Sequence, residues 1–476
     1  MKGSTMIRHR ITLVPLAAIL LVSAAARFAV AVEPDKRPNI IFFLTDDQRN
    51  DTLGCTGHPI VKTPTIDRLA AEGVLFENSF CQVPICAANR ATLFTGLSLR
   101  THGHNFGEPP VAKTYAATSY PALLKAAGYR TGFAGKYGMR FDKVGAKDIF
   151  DFYTPINRNP YLKKMPDGSK RHETDLCGDA AVEFIKSTPA DTPFCLSISF
   201  NASHAEDGDR RPGFHFQWPE STDGMYEDVE MPAPRLGNER YRKAMPPFLQ
   251  EDGLSRGRFF WRWDTPEKYE TNMRAYFRML SGIDNVIARV QELLKEKGLD
   301  QNTIIIYTGD NGYMMGDRGI AGKWNHYEQS VRVPLVVYDP RLAKNKRGRV
   351  LKELASSMDI APTIVDYAGL KVPSVVQGLS LVPLIQADQH VEWREDIFCE
   401  HYFNRYPDWH SVRNDRHKYA VYYDNGPYEC LYDLQEDPDE FTNLAADPQQ
   451  AATLAKMRKR LEWYREAYPA AKQEKK

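Results

Sequence analysis

Cys86-Ala87-Ala88-Asn89-Arg90 places a thiol and a guanidinium four positions apart. A helix beginning at Cys86 would stack Arg90 one turn along on the same face. A sulfur side chain, or its derivative, at a helix N-terminus beside a fixed positive charge suits chemistry on an oxyanion. Taken alone, the five residues describe equally well a small cysteine packed under a helix, the commoner use of a lone cysteine. A second set is acidic. Asp46-Asp47 and Asp310-Asn311 offer three carboxylates and one neutral oxygen donor, each pair following an apolar run. An all-oxygen set suits a hard cation, calcium or magnesium, rather than zinc. Either acidic pair alone reads as a solvated turn; both at the ends of buried strands read as a metal site.

The elements that must position these groups follow from the hydrophobic pattern. Residues 40–44 and 302–308 are short apolar runs ending on acids. They read as buried parallel strands that deliver carboxylates at their C-terminal edge, where open α/β sheets bind ligands. Residues 193–200 form a third such run, leading to His204, and residues 131–134 a fourth, running into Lys136. Helices are expected over residues 65–72, 120–127, 179–186, 269–297 and 359–368. Residues 141–175 have little periodicity and read as an insertion. Residues 205–265 read as a long polar loop carrying Trp218, Trp261 and Trp263, and loops of that length are usually functional or disordered. Beyond about residue 390, alternating polar and aromatic residues indicate an antiparallel sheet with one wet face, closed by a helix over residues 448–468.

The 476 residues carry a net charge of +1 with both signs interspersed, so no global field points to nucleic acid. A basic start (Lys2, Arg8, Arg10), an apolar run over residues 11–22 and a cleavage site at Ala29-Val30-Ala31, with Ala24-Ala25-Ala26 as its rival, read as a signal peptide over residues 1–31. No later run is long and apolar enough to span a bilayer. An exported protein, periplasmic or secreted, with no stable membrane insertion after signal cleavage is expected. Seven cysteines show no CxxC pair, and Cys399 with Cys430 is the disulfide to test first. The sequons at Asn50 and Asn201 adjoin the candidate site, where a glycan would obstruct it, which favours a bacterial, unglycosylated protein.

The cysteine motif resembles the signature Cys-x-(Pro/Ala)-x-Arg of type I sulfatases, in the alkaline phosphatase superfamily. Residues 39–48 resemble that family's first strand and acidic pair, and residues 63–70 its next helix. Gly135-Lys136-Tyr137, residues 308–312, Gly322-Lys323 and Asp359-Ile360-Ala361-Pro362-Thr363 resemble later blocks in the same order. The resemblance implies an α/β fold: an alkaline-phosphatase-like large mixed sheet sandwiched by helices, with a smaller C-terminal α+β subdomain containing an antiparallel sheet. A catalytic domain over residues 32–389 and a C-terminal subdomain over 390–476 are expected.

It also implies roles. Asp46, Asp47, Asp310 and Asn311 would hold calcium, with magnesium as the alternative, and an oxygen of Cys86 oxidised to formylglycine would complete the shell. A hydroxyl of the hydrated aldehyde, polarised by the metal and Arg90, would attack sulfur. The second hydroxyl would then re-form the aldehyde and expel sulfate. Lys136 and Lys323 would neutralise the sulfate oxygens, and His204 would protonate the leaving oxygen. The implied partners are a sulfated saccharide, polysaccharide or glycosaminoglycan, and a formylglycine-generating maturation enzyme. Two departures stand out: Ala88-Asn89 replaces the usual Pro-Ser, and Gly138 stands where many members carry histidine, with His102, His104 or His326 as candidate replacements. The rival readings are a phosphonate monoester or phosphodiester hydrolase of the same superfamily, and a non-catalytic sulfated-glycan binding protein in which Cys86 stays a thiol.

Overall fold

All seven residues of the strand Asn39–Thr45 are buried, as a strand covered on both faces must be. It pairs in parallel with Phe194–Ser199 on one side and Thr303–Gly309 on the other. The computed structural model describes Met1 and residues 37–403, 405–424 and 426–471; apart from Met1, the expected signal peptide lies outside them. From Arg37 onward the described residues form one compact unit. Its main sheet has eight strands, in the order Arg349–Leu351, Val74–Phe76, Leu335–Tyr338, Thr303–Gly309, Asn39–Thr45, Phe194–Ser199, Arg130–Gly135 and Phe152–Pro155. Leu335–Tyr338 runs antiparallel to both neighbours, which makes the sheet mixed.

Period-two alternation along the Asn39 strand sorts the core into two layers. Ile41 and Phe43 pack in the layer of the helices Pro266–Glu296 and Glu173–Ser187. Ile40, Phe42 and Leu44 pack in the layer of Cys86–Thr95, Tyr120–Ala126 and Ile360–Tyr367. The expected helices are all present, several longer than their periodic stretch.

Two segments differ from expectation. Residues 141–175 include scaffold: Phe152–Pro155 pairs in parallel with Arg130–Gly135 as an edge strand of the main sheet. Four residues are too few to show a period, which is why the pattern hid it. Residues 205–265 contain the helices Glu239–Lys243, Pro247–Gln250 and Gly253–Arg262. Trp263 is core there, Trp218 donates to Asp223, and Trp261 lies under Arg210.

A separate four-stranded antiparallel sheet runs Asp396–Phe403, Tyr406–Asn414, His417–Tyr422, Tyr428–Asp433. Neither face is wet. Trp409, Tyr422 and Tyr432 pack toward the main unit, while Phe398, Val412, Val421 and Leu431 are covered by Leu454, Met457, Leu461 and Tyr464 of the helix Ala451–Ala467. Its register also rules out the Cys399–Cys430 disulfide. Cys399 faces Ser411, Ser411 faces Ala420, and Ala420 faces Cys430. Three strand spacings, about 14 Å, separate two residues that a disulfide needs within about 7 Å. Cys399 and Cys430 are both free thiols, as are Cys55, Cys81, Cys86, Cys177 and Cys195. The Asn201 sequon is buried, its side-chain amide donating to Ile156 O at 2.9 Å.

Candidate active site

The Asn39 strand ends on Asp46 and Asp47, and the Thr303 strand on Asp310 and Asn311; all four side chains are buried. The backbone turns at Asp47, φ 54°, a left-handed conformation that aspartate adopts more readily than most residues. Asp310 N donates to Thr45 O at 2.9 Å and Asp47 N to Asp310 Oδ1 at 3.3 Å, so the two strand ends are tied together. The helix Cys86–Thr95 begins at Cys86, which puts the sulfur at its N-terminus. Ligand atoms of Asp46, Cys86 and Asp310 lie within 4.8 Å of one another, as do those of Asp46, Asp47 and His204.

Arg90, one turn along, points into the same cluster. Its Nε donates to Asp310 Oδ2 at 2.9 Å, and one terminal nitrogen lies 2.8 Å from the same oxygen and 3.7 Å from Asp46. The other terminal nitrogen donates to Lys136 O at 2.5 Å and to Ser199 Oγ. Asn89 donates to Asp310 O at 2.6 Å and accepts from Ser357 at 2.6 Å, so the middle of the motif is also engaged. Lys136 bonds Asp46, and Lys323 bonds Asp47. Lys136 reaches this point because Gly135 (φ 104°) lets its strand close on Ser199: a Cβ there would sit 2.0 Å from Ser199 O. His204 Nε2 lies 3.5 Å from Asp47 Oδ2, while its Nδ1 meets Ala205 O at 2.7 Å and a nitrogen of Arg158. The structure thus brings Asp46, Asp47, Cys86, Arg90, Lys136, His204, Asp310, Asn311 and Lys323 together around one point.

Burial raises the Asp310 carboxyl, and neighbouring Asp46 raises it further. Burial acts on Asp46 in the same sense, but Lys136, His204, Lys323 and Arg90 outweigh it and hold Asp46 below the usual range. Burial, with Arg158 alongside, pushes His204 down to about 4 against the pull of Asp47 and Asp46. Asp46 Oδ1, Asp47 Oδ2 and Asn311 Oδ1 are buried acceptors without a hydrogen-bond donor. Buried acceptors are rarely left so, and hard oxygens of this kind fit a calcium or magnesium ion.

The cluster floors a cleft of about 1010 Å³ lined by Cys86, Lys136, Lys323 and His204 and, further out, by Phe106, Arg140, Arg158, Arg258 and Trp324. His102, His104 and His326 do not line it. His102 Nε2 meets Thr92 Oγ1 at 3.1 Å, His104 Nδ1 meets Pro109 O at 2.7 Å, and His326 Nδ1 meets Tyr422 at 2.7 Å. None replaces the histidine absent at position 138. Sequence reasoning missed Arg158, Arg258 and Trp324 as cleft residues, because they come from three separate segments, a loop, the helix Gly253–Arg262 and the position after Lys323, that only the fold brings together. It also missed Ser199, although that residue closes the strand leading to His204.

A sulfatase family model matches residues 38–370, and a model of the C-terminal region of N-sulphoglucosamine sulphohydrolase matches residues 316–467. The chain is 30% identical to an arylsulfatase of Clostridium perfringens over 89% of its own length and 93% of the relative's. It is 28% identical to an N-acetylglucosamine-6-O-sulfatase of Bacteroides thetaiotaomicron, over 96% and 90%. A solved structure in complex with its substrate D-glucosamine-2-N,6-O-disulfate superposes with a TM-score of 0.77 at 24% identity, covering 91% of this chain and 98% of that one. A phosphonate monoester hydrolase of Agrobacterium radiobacter gives 0.76 at 25%, over 91% and 96%. The helix-sandwiched mixed sheet with its C-terminal antiparallel sheet is therefore the alkaline-phosphatase-like fold. With a family model spanning most of the chain, and relatives aligned over nearly all of it, the chain belongs to the sulfatase family and is a sulfuric ester hydrolase.

Proposed function

We propose that the chain removes sulfate from a sulfated carbohydrate, with Cys86 converted to formylglycine and a calcium ion held by Asp46, Asp47, Asp310 and Asn311. The observation that carries this is the convergence of Cys86, Asp46 and Asp310 within 4.8 Å of one another at the floor of a cleft flanked by Lys136 and Lys323. When bound, the cation would supply Lewis acidity toward a sulfate oxygen and toward the oxygen carried by residue 86. Hydrated formylglycine would supply a hydroxyl as nucleophile toward sulfur.

The chain's other residues have separate tasks. Arg90 fixes Asp310 and holds positive charge beside residue 86. Lys136 and Lys323 neutralise the sulfate oxygens as charge moves toward the leaving alkoxide. His204, with Nε2 facing the acidic cluster, delivers the proton to that alkoxide. Relatives named for N-acetylglucosamine 6-sulfate, and one named an extracellular sulfatase, support a sugar substrate and an exported enzyme. Export would follow from the signal peptide expected over residues 1–31.

Mass spectrometry of the peptide holding Cys86 is the test, since formylglycine is about 18 Da lighter than cysteine. Active protein with unmodified Cys86 overturns the mechanism. Cys86→Ala should lower sulfate ester turnover by at least about a thousandfold. Chelation should lower it too, and added calcium should restore it. A second reading, phosphonate monoester hydrolysis, is favoured by the likeness to the Agrobacterium enzyme; faster turnover of nitrophenyl phosphonates than of nitrophenyl sulfate would support it.

A further inference from the structure

Arg158 lines the cleft, and the carbohydrate sulfatase reading, on which this inference rests, gives it no task. It sits three residues past the edge strand Phe152–Pro155. One terminal nitrogen meets His204 Nδ1, and its Nε donates to Asn159 Oδ1 at 3.1 Å. Among the described residues no carboxylate lies within 4.0 Å of it. The other cleft cations differ: Lys136 bonds Asp46, Lys323 bonds Asp47, Arg140 bonds Glu108, and Arg258 lies 3.4 Å from Asp207.

A half-buried guanidinium with no anionic partner is costly unless a ligand provides one. Its planar fork matches a carboxylate or sulfate with two parallel bonds. One imidazole ring separates it from the acidic cluster, so an anion bound there would lie on the same sugar as the scissile ester or on the next one. We propose that Arg158 binds a second anionic group of the substrate, a carboxylate or a further sulfate. The enzyme then selects saccharides that carry two anions close together, and Arg158 is a specificity residue.

The test compares the wild type, Arg158→Gln and Arg158→Lys on three 6-O-sulfated glucosamines: N-acetylated, N-sulfated, and N-acetylated with a neighbouring uronate. The wild type should favour at least one doubly anionic sugar by about tenfold or more, mainly through KM. Arg158→Gln should abolish that preference and Arg158→Lys keep part of it. Preference for the N-sulfated sugar identifies a second sulfate as the partner; preference for the uronate identifies a carboxylate. A wild type that treats the three alike overturns the inference. So does an Arg158→Gln loss equal on all three, the result expected if Arg158 only props His204. Calorimetric binding of the same sugars to the Cys86→Ala protein reads the preference without turnover. Selective binding by a chain that turns over none of them counts against the sulfatase reading alone, whereas binding without selectivity overturns the role of Arg158.

Discussion

Gly138 leaves no room for the histidine that the family resemblance places there. Its φ is 70°, and a Cβ would stand 2.8 Å from Arg90 Cδ. Arg90 cannot swing aside, because Asp310, Lys136 O and Ser199 hold its guanidinium. Gly138→His should therefore lower sulfate ester turnover by about tenfold or more rather than raise it, through backbone strain and a displaced Arg90; steady-state kinetics check this. The acidic residues were legible because each closes a buried apolar run, and Arg90 because its spacing from Cys86 matches a helical turn. The missing histidine was legible as an absence. Its cause, a left-handed backbone packed on Arg90, depends on contacts between segments some fifty positions apart.

At the scale of elements, the helix Ala451–Ala467 stands out, since it covers a sheet face expected to be wet. Leu461 is 4% exposed against that face, and Leu461→Ala should cost about 2–4 kcal/mol, read by urea unfolding. Alternation along the strands was visible in the sequence, but alternation alone does not say whether water or a helix covers the second face. The same sheet is bolted to the segment after Lys323 by charge. Lys418, 1% exposed, bonds Glu328 at 3.0 Å and Glu440 at 2.8 Å. Lys418→Met would leave the buried Glu440 without its cation, while the part-buried Glu328 keeps Arg413 at 3.6 Å, and should cost about 3–5 kcal/mol; Glu440→Gln in that background should recover part of the loss. Both measurements are unfolding curves at one pH.

At the scale of the whole molecule, the sheet of Asp396–Asp433 meets the main unit at Glu400. Burial pushes this carboxyl up to about 7, against the bonds from Arg100 N and Gln82. His410, 3.9 Å away, is pushed down to about 3 by burial and by Arg100 and Arg465, and Tyr402 and Tyr423 close the pocket on its ring. Folded Glu400 keeps a proton that the unfolded chain releases near pH 4.5, so its contribution is full below that pH and lost as pH rises through about 7. Buried histidines such as His410 act in the opposite sense, so the measurement is a difference. The stability of Glu400→Gln relative to wild type should climb by a few kcal/mol between pH 5 and 7 and then level off. Equal slopes for the two proteins would refute the shift.

The carboxylates of the cleft floor come from the middle of the main sheet, where the Asn39 strand is paired on both sides. Arg158 hangs from a margin strand with a single partner. Substitutions at that margin can retune which sugars are admitted while the charge-bearing centre stays rigid. One catalytic apparatus could in this way serve many differently decorated polymers.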